Sequence, residues 1–140
     1  METDHVISLI STIRDKATKY LVGQMNAEGM ADIVPAHGSV IVCLFGGIEM
    51  PMSEIAKQIH RDKSTVTTLV NKLVSLGYVE KIKSGEDSRV TLVKLTEEGS
   101  MLEPAFKLIS QRLLGKAWSG FSNKEKDQLI NLLTRLSNNF

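Results

Sequence analysis

A mainly α-helical fold with one small β-hairpin is predicted by three features of this sequence. Apolar residues recur at three- and four-residue steps through both outer thirds of the chain, the period of amphipathic helices. Two runs of β-formers, 78–83 and 89–95, flank the turn residues Ser84-Gly85-Glu86-Asp87. Between Met50 and Gly77 the chain divides into two short helical segments around a tight turn. Helix, turn, helix, hairpin is the order of a winged helix-turn-helix, in which one helix has the size and charge to enter a DNA major groove.

Each element has local signals. The first helix is expected from about Asp4 to Asn26, with Val6, Ile10, Ile13, Ala17, Leu21 and Met25 on its stripe, and the segment around Gly29 breaks it. Pro35 suits the first turn of a second helix, where its missing N–H costs little, and Gly46-Gly47 stops that helix. Met50-Pro51-Met52 reads as a short extended piece. Ser53 is the expected cap of a helix over 54–59, and Asp62 that of the next, Lys63 to Leu76, by accepting from the N–H of Ser64 or Thr65. Gly77 ends it in the left-handed conformation. After the hairpin, Thr96 caps a long helix opening on Glu97-Glu98, which suits the helix dipole, and Pro104 is expected to kink it. Ser122 and Glu125 form a capping box, followed by Leu129, Leu132, Leu133 and Leu136.

Composition narrows the function classes. The 140 residues suffice for one domain with a real core, and 42% hydrophobic with 24% charged residues is ordinary for a globular chain. No apolar run approaches the ~20 residues of a membrane helix. The N-terminal METDHVISLISTIRDK lacks a basic region followed by a long apolar stretch, so no secretory signal is expected and the default location is cytoplasmic. The single Cys43 excludes an internal disulfide framework and any multi-cysteine zinc site. Net charge is +1, but the segment from Pro51 to Thr96 holds eight basic and five acidic residues, +3, leaving −2 elsewhere. That asymmetry has the sign of a DNA-facing centre, although a solvated face of mixed charge would look similar.

The helix from Lys63 carries Val66, Leu69, Val70, Leu73 and Leu76 as its apolar stripe, leaving Lys63, Ser64, Thr65, Thr67, Thr68, Asn71 and Lys72 off it. Hydroxyls bond base edges or phosphates, threonine methyls meet thymine methyls, Asn71 has the two groups that read adenine, and lysine reaches guanine or phosphate. An ordinary surface helix mixes signs, whereas no Asp or Glu lies between Asp62 and Glu80. In the hairpin, Arg89 is placed to enter a narrow minor groove, with Asp87 positioned to orient it and Lys81 and Lys83 to support backbone contact. The plain alternative for Asp87 and Arg89 is a surface ion pair of negligible worth.

These residues resemble the multiple-antibiotic-resistance regulator (MarR) family of winged-helix repressors. The matching pieces are Ser53-Glu54-Ile55-Ala56, Asp62-Lys63-Ser64-Thr65-Val66-Thr67, Asn71-Lys72-Leu73, Gly77-Tyr78-Val79, Asp87-Ser88-Arg89 and Leu95-Thr96-Glu97-Glu98-Gly99. The combination is specific although no single piece is. Ser88 departs from the pattern, which usually has a second basic residue there. The resemblance implies one domain over 1–140, with dimerisation helices at about 1–30 and 100–140 and the winged helix-turn-helix at about 35–99. It also implies a homodimer on palindromic promoter DNA, often released by a small-molecule effector lying between the dimer helices and the winged part. Met25, Met30, His37 and Phe45 are candidates for that region. The peroxide-sensing branch places its reactive cysteine in the first helix, and this first helix has none.

A dimer also follows from the helix stripes, whose apolar surface exceeds what one winged helix of this size covers. His5, His37 and His60 show no metal-ligand spacing with acids or Cys43, so no metal site and no cofactor are expected. His37 is expected to cap or pack, His60 to lie in the turn, and Cys43 to be a buried inert thiol. No nucleophile elbow, phosphate loop or zinc-protease motif is present, which disfavours an enzyme. The rival to DNA binding is a winged helix that holds a protein partner with the same surface, and an exposed apolar patch there would favour it.

Overall fold

The computed structural model describes residues 2–140. Seven helices and three strands follow in the order α1 (Val6–Ala27), α2 (Pro35–Leu44), β1 (Met50–Pro51), α3 (Met52–Ile59), α4 (Lys63–Ser75), β2 (Val79–Lys83), β3 (Thr91–Leu95), α5 (Glu97–Ser100), α6 (Glu103–Ala117) and α7 (Asn123–Ser137). The fold is mainly helical with a β wing, as the sequence predicts.

The core lies between α2, α3, α4 and the root of the sheet. Ile41, Leu44, Ile55, Val66, Leu73 and Val93 are fully buried there. The four buried residues of α4, Val66, Leu69, Val70 and Leu73, are the expected stripe, so the opposite face of that helix points outward. Replacing any of these by alanine would cost about 2–5 kcal/mol by cavity formation.

Several caps match expectation because they depend only on neighbouring residues. Asp62 Oδ1 accepts from the N–H of Thr65 at 2.7 Å. Thr96 Oγ1 accepts from the N–H of Gly99, and Ser122 and Glu125 form the reciprocal capping box. Gly77 has φ +83°, the left-handed turn that ends α4 and starts the wing.

Four expectations need correction. Ser53 does not cap α3: the helix begins one residue earlier at Met52, with Pro51 in the cap position and no side-chain cap. The extended piece at Met50-Pro51 pairs antiparallel with β3, so the sheet has three strands in the order β1-β3-β2 rather than two. Arg89 precedes the second long strand, which begins at Thr91. Finally, Pro104 does not kink one long helix. The chain breaks at Met101-Leu102, and Pro104 lies in the first turn of the separate α6, where an N–H has no helical partner anyway.

The outer helices pack unevenly. Arg112 of α6 donates to Gln24 Oε1 at 3.0 Å and Glu28 Oε1 at 3.2 Å, tying α6 to the end of α1. Met25 is the sole buried residue of α1, and α7 has none. Ile13 is 58% exposed and Leu132 56%. No helix among the described residues is long and apolar enough to cross a membrane.

Candidate nucleic-acid interface

The outer face of α4 is built by subtraction. With Val66, Leu69, Val70 and Leu73 buried, the 3.6-residue period turns Ser64, Thr68, Asn71 and Ser75 directly outward. Lys63 and Lys72 flank them, both exposed. Ser75 extends this face one turn past Asn71, at a spacing the helix period alone supplies. Thr65 and Thr67 are half-buried on the margins. Thr67 Oγ1 lies 3.6 Å from Met52 Sδ on α3 and also donates to the Lys63 carbonyl at 2.9 Å. Thr68 likewise donates to the Ser64 carbonyl. Both hydroxyl protons are therefore spent on the helix backbone.

Asp62 holds the start of this face rigid. Besides capping Thr65, its Oδ1 accepts from Ser64 Oγ at 2.8 Å. The Thr65 N–H and the Ser64 hydroxyl hold its carboxyl below the usual carboxylate range. Its charge is thus directed into the helix end.

The wing stands beside α4. Glu80 pairs with Lys94 in register, and their side chains form an ion pair at 3.3 Å. Lys81 and Lys83 are exposed. Lys81 Nζ donates to Asn71 Oδ1 at 2.6 Å, joining wing to helix. Ten residues separate the two partners, and no local sequence signal connects them. Near the tip, Asp87 Oδ1 accepts from the N–H of Arg89 at 3.0 Å and from its Nε at 3.2 Å, while Nη2 donates to Oδ2 at 3.3 Å. The guanidinium is thereby oriented while the Arg89 side chain remains 89% exposed. These bonds hold the Asp87 carboxyl below its ordinary value. Lys63 and Arg89, distant in sequence, line one crevice of about 400 Å³ with Ser53 and Thr91.

The structure thus brings Asn71 to Lys81, Asp87 to Arg89, and Lys63 to the crevice it shares with Arg89, while Ser64, Thr68, Lys72 and Lys83 are exposed and Thr65 and Thr67 are half-buried at the margin. Sequence reading missed the contact behind them. Tyr78 Oη donates to Asp32 Oδ2 at 3.0 Å, linking the start of the wing to the α1–α2 loop. Burial and the Asp32 carboxylate push the Tyr78 phenol up.

His37 caps α2, its Nδ1 accepting from the Val34 N–H at 3.0 Å. Burial first, then the nearby Lys72 charge, lower its pKa from 6.5, while Asp32 opposes them. The neutral ring is the form that accepts this bond. Its contribution to stability is therefore complete above pH 6.5 and is lost as pH falls through the lower folded value. Urea midpoints should fall between about pH 7.5 and 5.5, and His37→Gln, which keeps a capping acceptor but does not titrate, should flatten that decline. An unchanged slope in the variant would rule His37 out as its source.

Between α1, α2 and α6, Leu21, Met25, Val42, Cys43, Phe106 and Ile109 line a largely apolar cavity of about 510 Å³. Of the candidates for this region, Met25 lines it, Met30 is buried in the core, His37 caps, and Phe45 packs edge-on against Phe106 with centroids 5.6 Å apart. Cys43 is half-buried on the cavity wall rather than fully buried, and it donates to the Ser39 carbonyl. Burial pushes its thiol up, away from the reactive thiolate. His60 takes a left-handed backbone at φ 57°, closing the turn between α3 and α4. His5 lies with Glu2 and Asp4, all exposed, their ligand atoms within 4.8 Å, a grouping that sequence spacing did not suggest and that solvated acidic residues commonly form.

Comparison with known proteins agrees with this geometry. Residues 34–91, from the start of α2 through the start of β3, match the MarR family model. The HTH-type transcriptional regulator SarZ of Staphylococcus haemolyticus is 32% identical over 110 residues, covering 78% of this chain and 74% of SarZ. A mutant of E. coli MarR complexed with operator DNA superposes with TM-score 0.83 at 25% identity, over 97% of this chain and 99% of that one. The S. aureus MepR–DNA complex gives TM-score 0.88 at 21% identity over the whole of both chains, a likeness of fold. With the family model lying on the winged segment and the similarity running on through the outer helices, the chain belongs to the MarR family.

Proposed function

We propose that this chain is a sequence-specific DNA-binding transcription regulator that acts as a homodimer on palindromic promoter DNA. One observation carries the reading: an outward helix face of hydroxyls, one amide and two lysines, without a free carboxylate, stands beside a wing that presents an oriented arginine. Ser64, Thr68, Asn71 and Lys72 meet base edges and phosphates, with Thr65 and Thr67 at the groove margin. Lys63 and Lys83 meet backbone phosphate, Lys81 reaches the DNA beside Asn71, and Arg89, oriented by Asp87, enters the minor groove. A protein-docking surface would show an apolar patch here, whereas on α4 Val74 alone is an exposed large apolar residue, set among polar ones.

The dimer rests on the exposed apolar residues of α1 and α7, which no other part of the chain covers among the described residues. Two winged parts about 34 Å apart read an inverted repeat, and linkage multiplies the modest affinity of each. Residues 1–30 and 100–140 form the dimerisation unit and 35–99 the winged unit. A dimer seated on a promoter blocks it, so repression is the default mode. An apolar small molecule entering the cavity by α2 and α6 would shift the spacing of the two α4 helices and so the DNA affinity.

Binding to the DNA upstream of the chain's own coding sequence, against scrambled DNA across a salt series, tests the reading. The expected result is tight, salt-sensitive and sequence-selective binding. Arg89→Ala should weaken binding to all sequences alike and lower the salt slope by about one. Equal, weak binding to both DNAs with no effect of Arg89→Ala would overturn the assigned surface.

A further inference from the structure

The clasp between wing and helix changes what Asn71 can read. A lysine ammonium has three donors and no acceptor. The Asn71 atom 2.6 Å from Lys81 Nζ is therefore the carbonyl oxygen. Adenine is read by asparagine with two bonds, N–H to N7 and carbonyl oxygen from the N6 amino group. Here a cation already takes one of the two lone pairs of that oxygen, and the ammonium beside it is itself a donor that cannot accept from the N6 amino group. Guanine presents N7 and O6, both acceptors. The free Asn71 amide N–H groups and the adjacent Lys81 ammonium are all donors, so together they form a paired donor site that matches guanine and opposes adenine.

We propose that Asn71 and Lys81 act as one unit that selects a G·C pair in each half-site, with Lys81 setting the specificity by occupying Asn71 Oδ1. The proposal deepens the DNA-binding reading and rests on it. Both side chains are exposed, so their replacement leaves the core intact.

The test is selection of binding sites from a random-sequence duplex pool, using the full-length wild type, Asn71→Ala and Lys81→Met. The wild type should enrich a motif in which one position per half-site is G·C, with adenine in place of that guanine costing about tenfold in affinity. Asn71→Ala should erase preference at that position and leave the rest of the motif. Lys81→Met frees the amide and should turn the same position toward A·T. A wild-type motif with adenine at the Asn71-dependent position overturns the proposal, as does one that neither substitution alters, while the DNA-binding reading survives both. Failure of the wild type to enrich any motif overturns the two together.

Discussion

Ile13→Glu combined with Leu132→Glu is expected to yield a folded monomer that binds operator DNA at least about a hundredfold more weakly than the wild type, the gain that linked sites ordinarily give. Both side chains are more than half exposed within one chain, so glutamate there disturbs no packing of the fold itself. In the proposed dimer the same positions lie in apolar contact, and an unpaired carboxylate buried there would be costly. Light scattering reads the mass, circular dichroism the helix content, and DNA titration the affinity. A variant that stays dimeric with unchanged affinity would show that these faces serve some other contact. Because folding and association are linked, melting should be compared at several protein concentrations.

Gly99→Ala is expected to destabilise the fold by about 3 kcal/mol, at the upper end for an overpacked position. Gly99 is buried in the first turn of α5, where an added Cβ would collide with the backbone carbonyl of Tyr78 and press on Leu95 Cδ2 at 3.0 Å. The carbonyl has no rotamer through which to escape. It also accepts the N–H of Thr96 at 3.0 Å, so moving it loosens the root of the wing. The midpoint of thermal unfolding should fall by roughly 10 °C. A change of only a degree or two would mean that the α5 turn shifts freely and that the close approach carries no weight.

Much of the fold was legible because its signals are local. The start of α4 at Lys63 follows from Asp62, and its end from Gly77, since each concerns hydrogen bonds within three or four residues. The same holds for Thr96 and for the Ser122–Glu125 box. The candidate site was legible to the extent that it lies on one helix and one hairpin. The misreadings at Ser53 and Pro104 concern where a helix starts, and others arose where a distant partner decides. Met50-Pro51 became a strand only because β3 lies alongside it. Thr67, off the apolar stripe by period, is drawn half under α3 by Met52.

The sequence by itself determined the helical period, the caps at Asp62, Thr96 and Ser122, the family and the outward face of α4, because side-chain chemistry and 3.6-residue geometry need no knowledge of the rest of the chain. Only the tertiary structure decided that Lys81 holds the Asn71 carbonyl, that Tyr78 ties the wing to Asp32, and that Lys63 shares a crevice with Arg89. Each of these joins elements that meet only after the core has closed. The hydrophobic burial that closes it is non-directional, so a sequence pattern shows which residues go inside without showing which polar groups are then left side by side.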